Sequence, residues 1–157
     1  MYMSKTNAAR ILDNLGIHYE LIPYEVDESD LSAIAVATKL NQNVEQVFKT
    51  LVLKGDKTSV FICVIPGAEE LNLKKAASIS GNKNASLVPM KEIFELTGYI
   101  RGGCSPLGMK KKYPGFMDES CILFDYIFVS AGIRGLQFKI APDDLIKATN
   151  YITADLV

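Results

Sequence analysis

SVFICVIP, residues 59–66, is apolar at both alternate sets of positions. A strand with one wet face alternates polar and apolar residues. One that does not alternate must be covered on both faces. The stretch therefore predicts a central strand with material packed on each side. KTLVLKG, 49–55, reads as a neighbouring strand, and GDKT, 55–58, joins the two as a hairpin. NVEQVF, 43–48, is a turn or short helix leading in. LSAIAVATKL, 31–40, reads as a helix capped by Ser29 or Asp30. IHYELIPYEV, 17–26, reads as a strand in which Pro23 marks an edge or a bulge. SKTNAARILDNLG, 4–16, places Ala8, Ile11, Leu12 and Leu15 at helical spacing, with Ser4 or Thr6 as cap and Gly16 as stop.

Downstream, NLKKAASISG (72–81) and MKEIFELTG (90–98) read as short helices, with a short strand, ASLVP (85–89), between them. SCILF (120–124) and YIFVS (126–130) read as strands. AGIRG (131–135) is a glycine-framed turn, LQFKIAP (136–142) the last strand, and DLIKATN (144–150) a helix capped by Asp143. Adjacent strands mixed with single helices predict an α+β fold with a mixed sheet, not a doubly wound one. No repeat, low-complexity segment or linker interrupts residues 1–157, which predicts a single domain.

Composition narrows the function classes. The chain has 157 residues, 48% of them hydrophobic, and a formal net charge of −1. That balance excludes a nucleic-acid binder working by bulk positive charge, though not a small basic patch. No apolar run is long enough to cross a membrane. Cys63, Cys104 and Cys121 have no C-x-x-C spacing and predict reduced thiols in a cytosolic protein. The single histidine, His18, leaves little material for a Ser-His-Asp, Cys-His or zinc site, and reads as a partly exposed strand residue. Neither a dinucleotide-binding glycine fingerprint nor a P-loop is present.

The segment RGGCSPLG, 101–108, followed by Met109 and the lysines 110–112, is too rich in glycine and proline for a helix or strand. A nucleophile elbow needs G-x-S-x-G. Here the second glycine comes one residue late. Pro106, directly after Ser105, also lacks the N–H that an oxyanion hole would use. Cys104 as a nucleophile would need a thiolate favoured by a nearby cation or base. Two readings of the loop stay open: a tight structural turn, or a pocket wall made of main chain. Lys49 shares strand parity with Leu51 and Leu53, so it stands either at the mouth of an apolar site or in solvent at the strand's start. Arg134, in SAGIRGL (130–136), is either a phosphate ligand or an ordinary hairpin arginine. Tyr24 either points its hydroxyl into a cleft or packs, and the run of three lysines either meets a polyanion or is a solvated face.

The chain resembles the YbaK/EbsC family of trans-acting aminoacyl-tRNA deacylases, related to the editing insertion of bacterial prolyl-tRNA synthetases. The resemblance rests on PYEVD (23–27), VFKTLVL (47–53), LNLKKAA (71–77), TGYIRGGCSPLGMKKK (97–112) and VSAGIRGL (129–136), in this order and at these spacings. It implies a curved, barrel-like mixed sheet flanked by helices. It also implies hydrolysis of the ester joining a wrong amino acid, cysteine above all, to the 3′ end of tRNA(Pro). The family lysine matches Lys49. The glycine-rich substrate loop matches Gly102, Gly103, Ser105, Pro106 and Gly108. The early tyrosine matches Tyr24, and the later turn matches Ser130, Gly132, Arg134 and Gly135. Some members carry an aspartate where this chain has Gln137; a carboxylate there can pair with the substrate amine, whereas glutamine can only hydrogen-bond it.

The resemblance implies chemistry without a protein nucleophile and without a cofactor. The attacker is water or the substrate's own thiol, and Lys49 with main-chain N–H groups stabilises developing charge. The near-neutral net charge predicts weak intrinsic tRNA affinity, with prolyl-tRNA synthetase as the natural partner. The rival readings are a non-catalytic module binding an RNA 3′ end or nucleotide, a small-ester hydrolase with Cys104 or Ser105 as nucleophile, and a protein scaffold.

Overall fold

The computed structural model describes residues 5–157. Along the chain the elements are α1 (Asn7–Asn14), β1 (Glu20–Pro23), α2 (Ala33–Leu40), β2 (Phe48–Gly55), β3 (Val60–Pro66), α3 (Leu73–Ile79), β4 (Ala85–Leu87), α4 (Met90–Thr97), β5 (Gly115–Asp118), β6 (Ile127–Ser130), β7 (Leu136–Ile140), α5 (Pro142–Thr149) and β8 (Ile152–Ala154). Short 3₁₀ turns occupy Val44–Gln46 and Glu119–Leu123.

Every residue of β3 is buried. It lies in the middle of a five-stranded sheet of order β4-β2-β3-β5-β8. The hairpin with β2 is antiparallel and pairs Lys49 with Ile65 and Lys54 with Val60. β5 and β8 continue the sheet in parallel. Ile62 and Val64 face one cluster of buried side chains, and Phe61, Cys63 and Ile65 face another. This is the two-sided covering that the unbroken apolar run requires. Each fully buried branched aliphatic or aromatic side chain contributes roughly 1.5–3 kcal/mol.

The remaining strands form a three-stranded antiparallel sheet of order β1-β7-β6, with β1 at an edge as Pro23 requires. The two sheets meet where Val47, just before β2, bridges in parallel to Phe128 of β6. The fold is the expected mixed α+β type with flanking helices, but its strands divide between two sheets and no closed barrel forms among the described residues.

Several local expectations need correction. The strand read over 17–26 is confined to Glu20–Pro23. SCILF is not a strand. The Asp118 carboxylate accepts from the N–H and hydroxyl of Ser120 and turns the chain into a 3₁₀ helix, leaving Ile122 and Leu123 at the surface. The sheet position belongs instead to β5 and β8, so β7 is not the last strand. Ser32, not Ser29 or Asp30, caps α2, its hydroxyl accepting from Ala35 N–H at 3.2 Å. Asp143 does not cap α5; it lies in that helix's first turn, after Pro142, where its charge suits the helix dipole. Thr6 caps α1, accepting from Ala9 N–H at 3.2 Å, while Ser4 lies outside the described residues.

Candidate active site

Three segments far apart in sequence converge. Gly103 lies so close to the 130–136 turn that a Cβ on it would stand 3.2 Å from both Ile133 Cα and Arg134 N. A side chain there would require the turn's main chain to give by a few tenths of an ångström. Gly135, at φ +88°, takes a left-handed conformation that costs other residues energy. Its carbonyl accepts from Tyr24 N–H at 2.9 Å. Arg134 ties the third side together: its Nε donates to the Arg101 carbonyl at 2.7 Å and its Nη1 to Glu28 at 2.6 Å. The early tyrosine segment, the glycine-rich loop and the Ser-Ala-Gly-Ile-Arg-Gly turn thus form one surface.

The glycine-rich loop is braced from behind. Tyr151 donates its hydroxyl to the Pro106 carbonyl at 3.2 Å, and Tyr99 donates to the Leu107 carbonyl. Ser105 is fully buried, and its Oγ accepts from Leu107 N–H at 3.3 Å. Gly108 packs beneath the Tyr99 hydroxyl and the start of α1. Ser105, Pro106 and Gly108 therefore build the loop from inside, while Gly102 lies on its open side. Burial pushes the Cys104 thiol up to about 12. It is a thiol at neutral pH, poorly suited to nucleophilic attack. The bracing tyrosines were not identified from sequence; no local spacing links Tyr151 to a loop 45 residues earlier.

Lys49, Ser130 and Gln137 share the sheet face opposite the main core. Lys49 and Ser130 each lie two residues beyond the bridged pair Val47–Phe128, and alternate residues share a face. Gln137 pairs with Ser130 on one side and Ile22 on the other. On β2 the outer face runs Val47, Lys49, Leu51, Leu53. Lys49 is therefore the polar residue between two apolar clusters, half-buried and not fully solvated. Burial lowers its pKa from the ordinary lysine value, with Glu70 and Glu69 opposing the shift. Ser130 is buried and its Oγ accepts from Gly132 N–H at 3.2 Å, which shapes the turn. Gln137 is 5% exposed and its Oε1 is buried without a hydrogen-bond partner.

A cavity of about 290 Å³ opens beside these elements. Tyr24 and Gly102 line it together with Leu31, Ile34, Asp30 and Lys39. The α2 contribution was missed, since nothing in its sequence distinguishes a cavity wall from an ordinary helix face. His18 is not the partly exposed strand residue expected: the ladder begins only at Glu20, so His18 lies exposed in the loop before β1, lining a separate cavity with Glu20 and Lys139. Lys110 lies over the Phe94 ring at 5.1 Å, and Lys111 and Lys112 are exposed.

The described family of aminoacyl-tRNA editing domains matches residues 28–148. A protein of Enterococcus faecalis named "Putative Cys-tRNA(Pro)/Cys-tRNA(Cys) deacylase EbsC" is 44% identical over 97% of this chain and 93% of its own. The crystal structure of "a putative trans-editing enzyme for prolyl tRNA synthetase" superposes with a TM-score of 0.83, at 26% identity, over 98% of both chains. That of "hypothetical protein APE2540" shares the fold, with a TM-score of 0.87 at 22% identity over 96% of this chain and 99% of its own. The chain belongs to the aminoacyl-tRNA editing-domain family, in its YbaK/EbsC group. Its enzyme class is that of the aminoacyl-tRNA deacylases, which are hydrolases.

Proposed function

We propose that the protein is a trans-acting editing deacylase that clears mischarged tRNA, with Cys-tRNA(Pro) as its main substrate. The observation carrying this reading is the meeting of the tyrosine segment, the braced glycine loop and the arginine turn. Gln137 pairs with Ser130 at the turn's start, and Lys49 lies two residues past the bridge to the same strand. The name of the E. faecalis relative, a Cys-tRNA(Pro)/Cys-tRNA(Cys) deacylase, supports the cysteinyl substrate.

The main chain at Gly102 and Gly103 orients the aminoacyl ester. Tyr24 and the cavity beside α2 hold the end of the RNA, and Arg134 meets its phosphate. Lys49 stabilises the negative charge that grows on the carbonyl oxygen or lies on the terminal phosphate. Water adds to the acyl carbon, the bond to the ribose oxygen breaks, and that oxygen leaves with a proton. With a cysteinyl substrate, its own thiol can attack instead: a C–S bond forms as the ester C–O bond breaks, and the thiol proton passes to the ribose oxygen. Cys104 and Ser105 take no covalent part. Gln137 faces the substrate amine as a neutral hydrogen-bond acceptor.

A separate editing step has a physical reason. A pocket shaped for one small side chain rejects a similar one by only about 1–3 kcal/mol. A synthetase that admits cysteine or alanine for proline thus needs a second site. We propose the synthetase as the partner that delivers the tRNA in the cytosol, compensating for the chain's near-neutral charge.

The test is release of radiolabelled amino acid from Cys-tRNA(Pro), Ala-tRNA(Pro) and Pro-tRNA(Pro), with and without prolyl-tRNA synthetase, for the wild type and Lys49→Ala. Turnover of Cys-tRNA(Pro) that disappears in the variant is expected. Binding of the tRNA without turnover under all these conditions would replace the deacylase reading with that of a non-catalytic RNA-end module.

A further inference from the structure

An ion pair between Arg134 and Glu28 lies beside the glycine-rich loop, next to Gly102 of the cavity wall. Arg134 comes from the turn between β6 and β7, and Glu28 from the segment between β1 and α2. The guanidinium is anchored on one side, because Nε donates to the Arg101 carbonyl at 2.7 Å. It also lies along the glycine loop: a Cβ on Gly102 would stand 3.3 Å from Nε and 3.4 Å from Cγ. The Glu28 side chain is 70% exposed and makes its 2.6 Å contact from the solvent side.

The arginine is thus held against the loop, and the carboxylate reaches it from an exposed position. Glu28 belongs to an acidic stretch, EVDESD at 25–30. Asp27 and Asp30 are taken up locally: the hydroxyls and then the N–H groups of Ser29 and Ser32 respectively hold their carboxyls below the ordinary range. Glu28 is the member of the stretch that reaches across to the arginine. An acidic residue covering an arginine works against an enzyme that must receive an RNA end, unless the carboxylate is meant to be displaced. Exposed pairs of this kind contribute little to stability, so exchange is easy. A phosphodiester offers two oxygens to the guanidinium fork.

We propose that Glu28 occupies, in the free protein, the place on Arg134 that a backbone phosphate of the RNA 3′ end takes in the complex. Glu28 is thus a built-in competitor that weakens RNA binding, and it acts through Arg134. The proposal rests on the RNA-end reading above, yet concerns binding and not the chemical step. An equal weakening of substrate and transition-state binding raises KM and leaves kcat alone.

The experiment measures Kd for an uncharged, fluorescein-labelled acceptor-stem minihelix ending in CCA. It compares wild type, Glu28→Gln, Arg134→Gln and the double variant across a salt series, with Tm recorded for each. Glu28→Gln should tighten binding about threefold to fivefold, the scale of an exposed ion pair. Arg134→Gln should weaken binding and lower the salt slope by about one. In the Arg134→Gln background the Glu28 substitution should have no effect. Three results would overturn the proposal: Glu28→Gln weakens binding or leaves it unchanged, it tightens binding equally without Arg134, or the minihelix fails to bind wild type and Glu28→Gln alike at low salt. Because the probe carries no amino acid, loss of the deacylase reading would appear separately, as absent turnover with the binding cycle intact.

Discussion

Gln137 stands opposite Ser130 in the β6–β7 ladder, and its amide oxygen is a buried side-chain acceptor with no partner among the described residues. An unsatisfied buried polar atom costs about 1–3 kcal/mol. Under the proposed function, a donor on the substrate amine would offset this cost. Gln137→Met, close in shape but without the amide, should be as stable as the wild type or up to ~2 kcal/mol more so, and should deacylate more slowly. Urea denaturation alongside the turnover assay tests both halves; a variant that loses stability would mean the amide is satisfied in solution.

Lys49 makes a similar trade. Its folded-state pKa is below the ordinary lysine value because burial disfavours the charge. Below the folded pKa both states bind the proton, and the cost of burying the charge is fully present. Between the folded and unfolded pKa values the unfolded state binds more protons, so stability rises with pH through that window. Lys49→Met should therefore match or exceed the wild type in stability at neutral pH, with the gap narrowing as pH rises toward the ordinary lysine value. Turnover should fall at least about a hundredfold, the scale of a lost charge-stabilising donor. Wild-type turnover should also decline as pH rises through the lowered pKa. Stability curves at several pH values and a pH–rate profile measure these effects.

Cys104 lies within the loop but is held as a thiol by burial, its pKa pushed up to about 12. Cys104→Ser should keep wild-type turnover within about threefold, because a spectator group lies outside the acid–base steps that carry the larger factors. Iodoacetamide should label Cys104 slowly at neutral pH. A folded Cys104→Ser protein with no activity would sink the mechanism without a protein nucleophile.

Gly103 sets how closely the loop and the arginine turn approach. A methyl group there meets main chain at 3.2 Å, and main chain yields less readily than a side-chain tip. Gly103→Ala should destabilise the fold by about 1–3 kcal/mol, as overpacking does. It should also raise KM by shifting Arg134 away from the loop. Thermal denaturation and steady-state kinetics report the two effects.

Tyr151, directly before β8, donates to the Pro106 carbonyl at 3.2 Å and is itself buried. Tyr151→Phe leaves that carbonyl without its donor and should cost about 1–3 kcal/mol. If the brace also sets the loop's geometry, kcat should fall while the cysteine thiols remain unreactive. Retained stability would show that water replaces the hydroxyl.

How much was legible varies by residue. The β2–β3 hairpin was clear, because an apolar run of strand length beside a turn dipeptide leaves few other readings. The glycines at 102, 103 and 135 announced a special main-chain path. SCILF misled because its composition suits a strand, but the Asp118 carboxylate and Ser120 turn the chain there, and the sheet position was already filled. β5 and β8 were missed since their few residues are recruited by parallel partners distant in sequence, and parallel pairing leaves no hairpin signature.

The amino-acid order alone specified the central strand, the local helix and turn chemistry, and the residue types that a ligand-binding loop demands, because these depend on periodicity and on backbone preferences acting over a few residues. The tertiary structure decided which of those residues meet. Lys49 is half-buried on a strand whose leading residue Val47 bridges to β6, and Gln137 is buried on a strand paired between β6 and β1, so both environments involve chain distant in sequence. Arg134 faces Glu28 only because two loops more than a hundred residues apart in sequence are packed together. Burial, pKa and the loss of hydrogen-bond partners depend on desolvation by distant chain, and no local pattern encodes that.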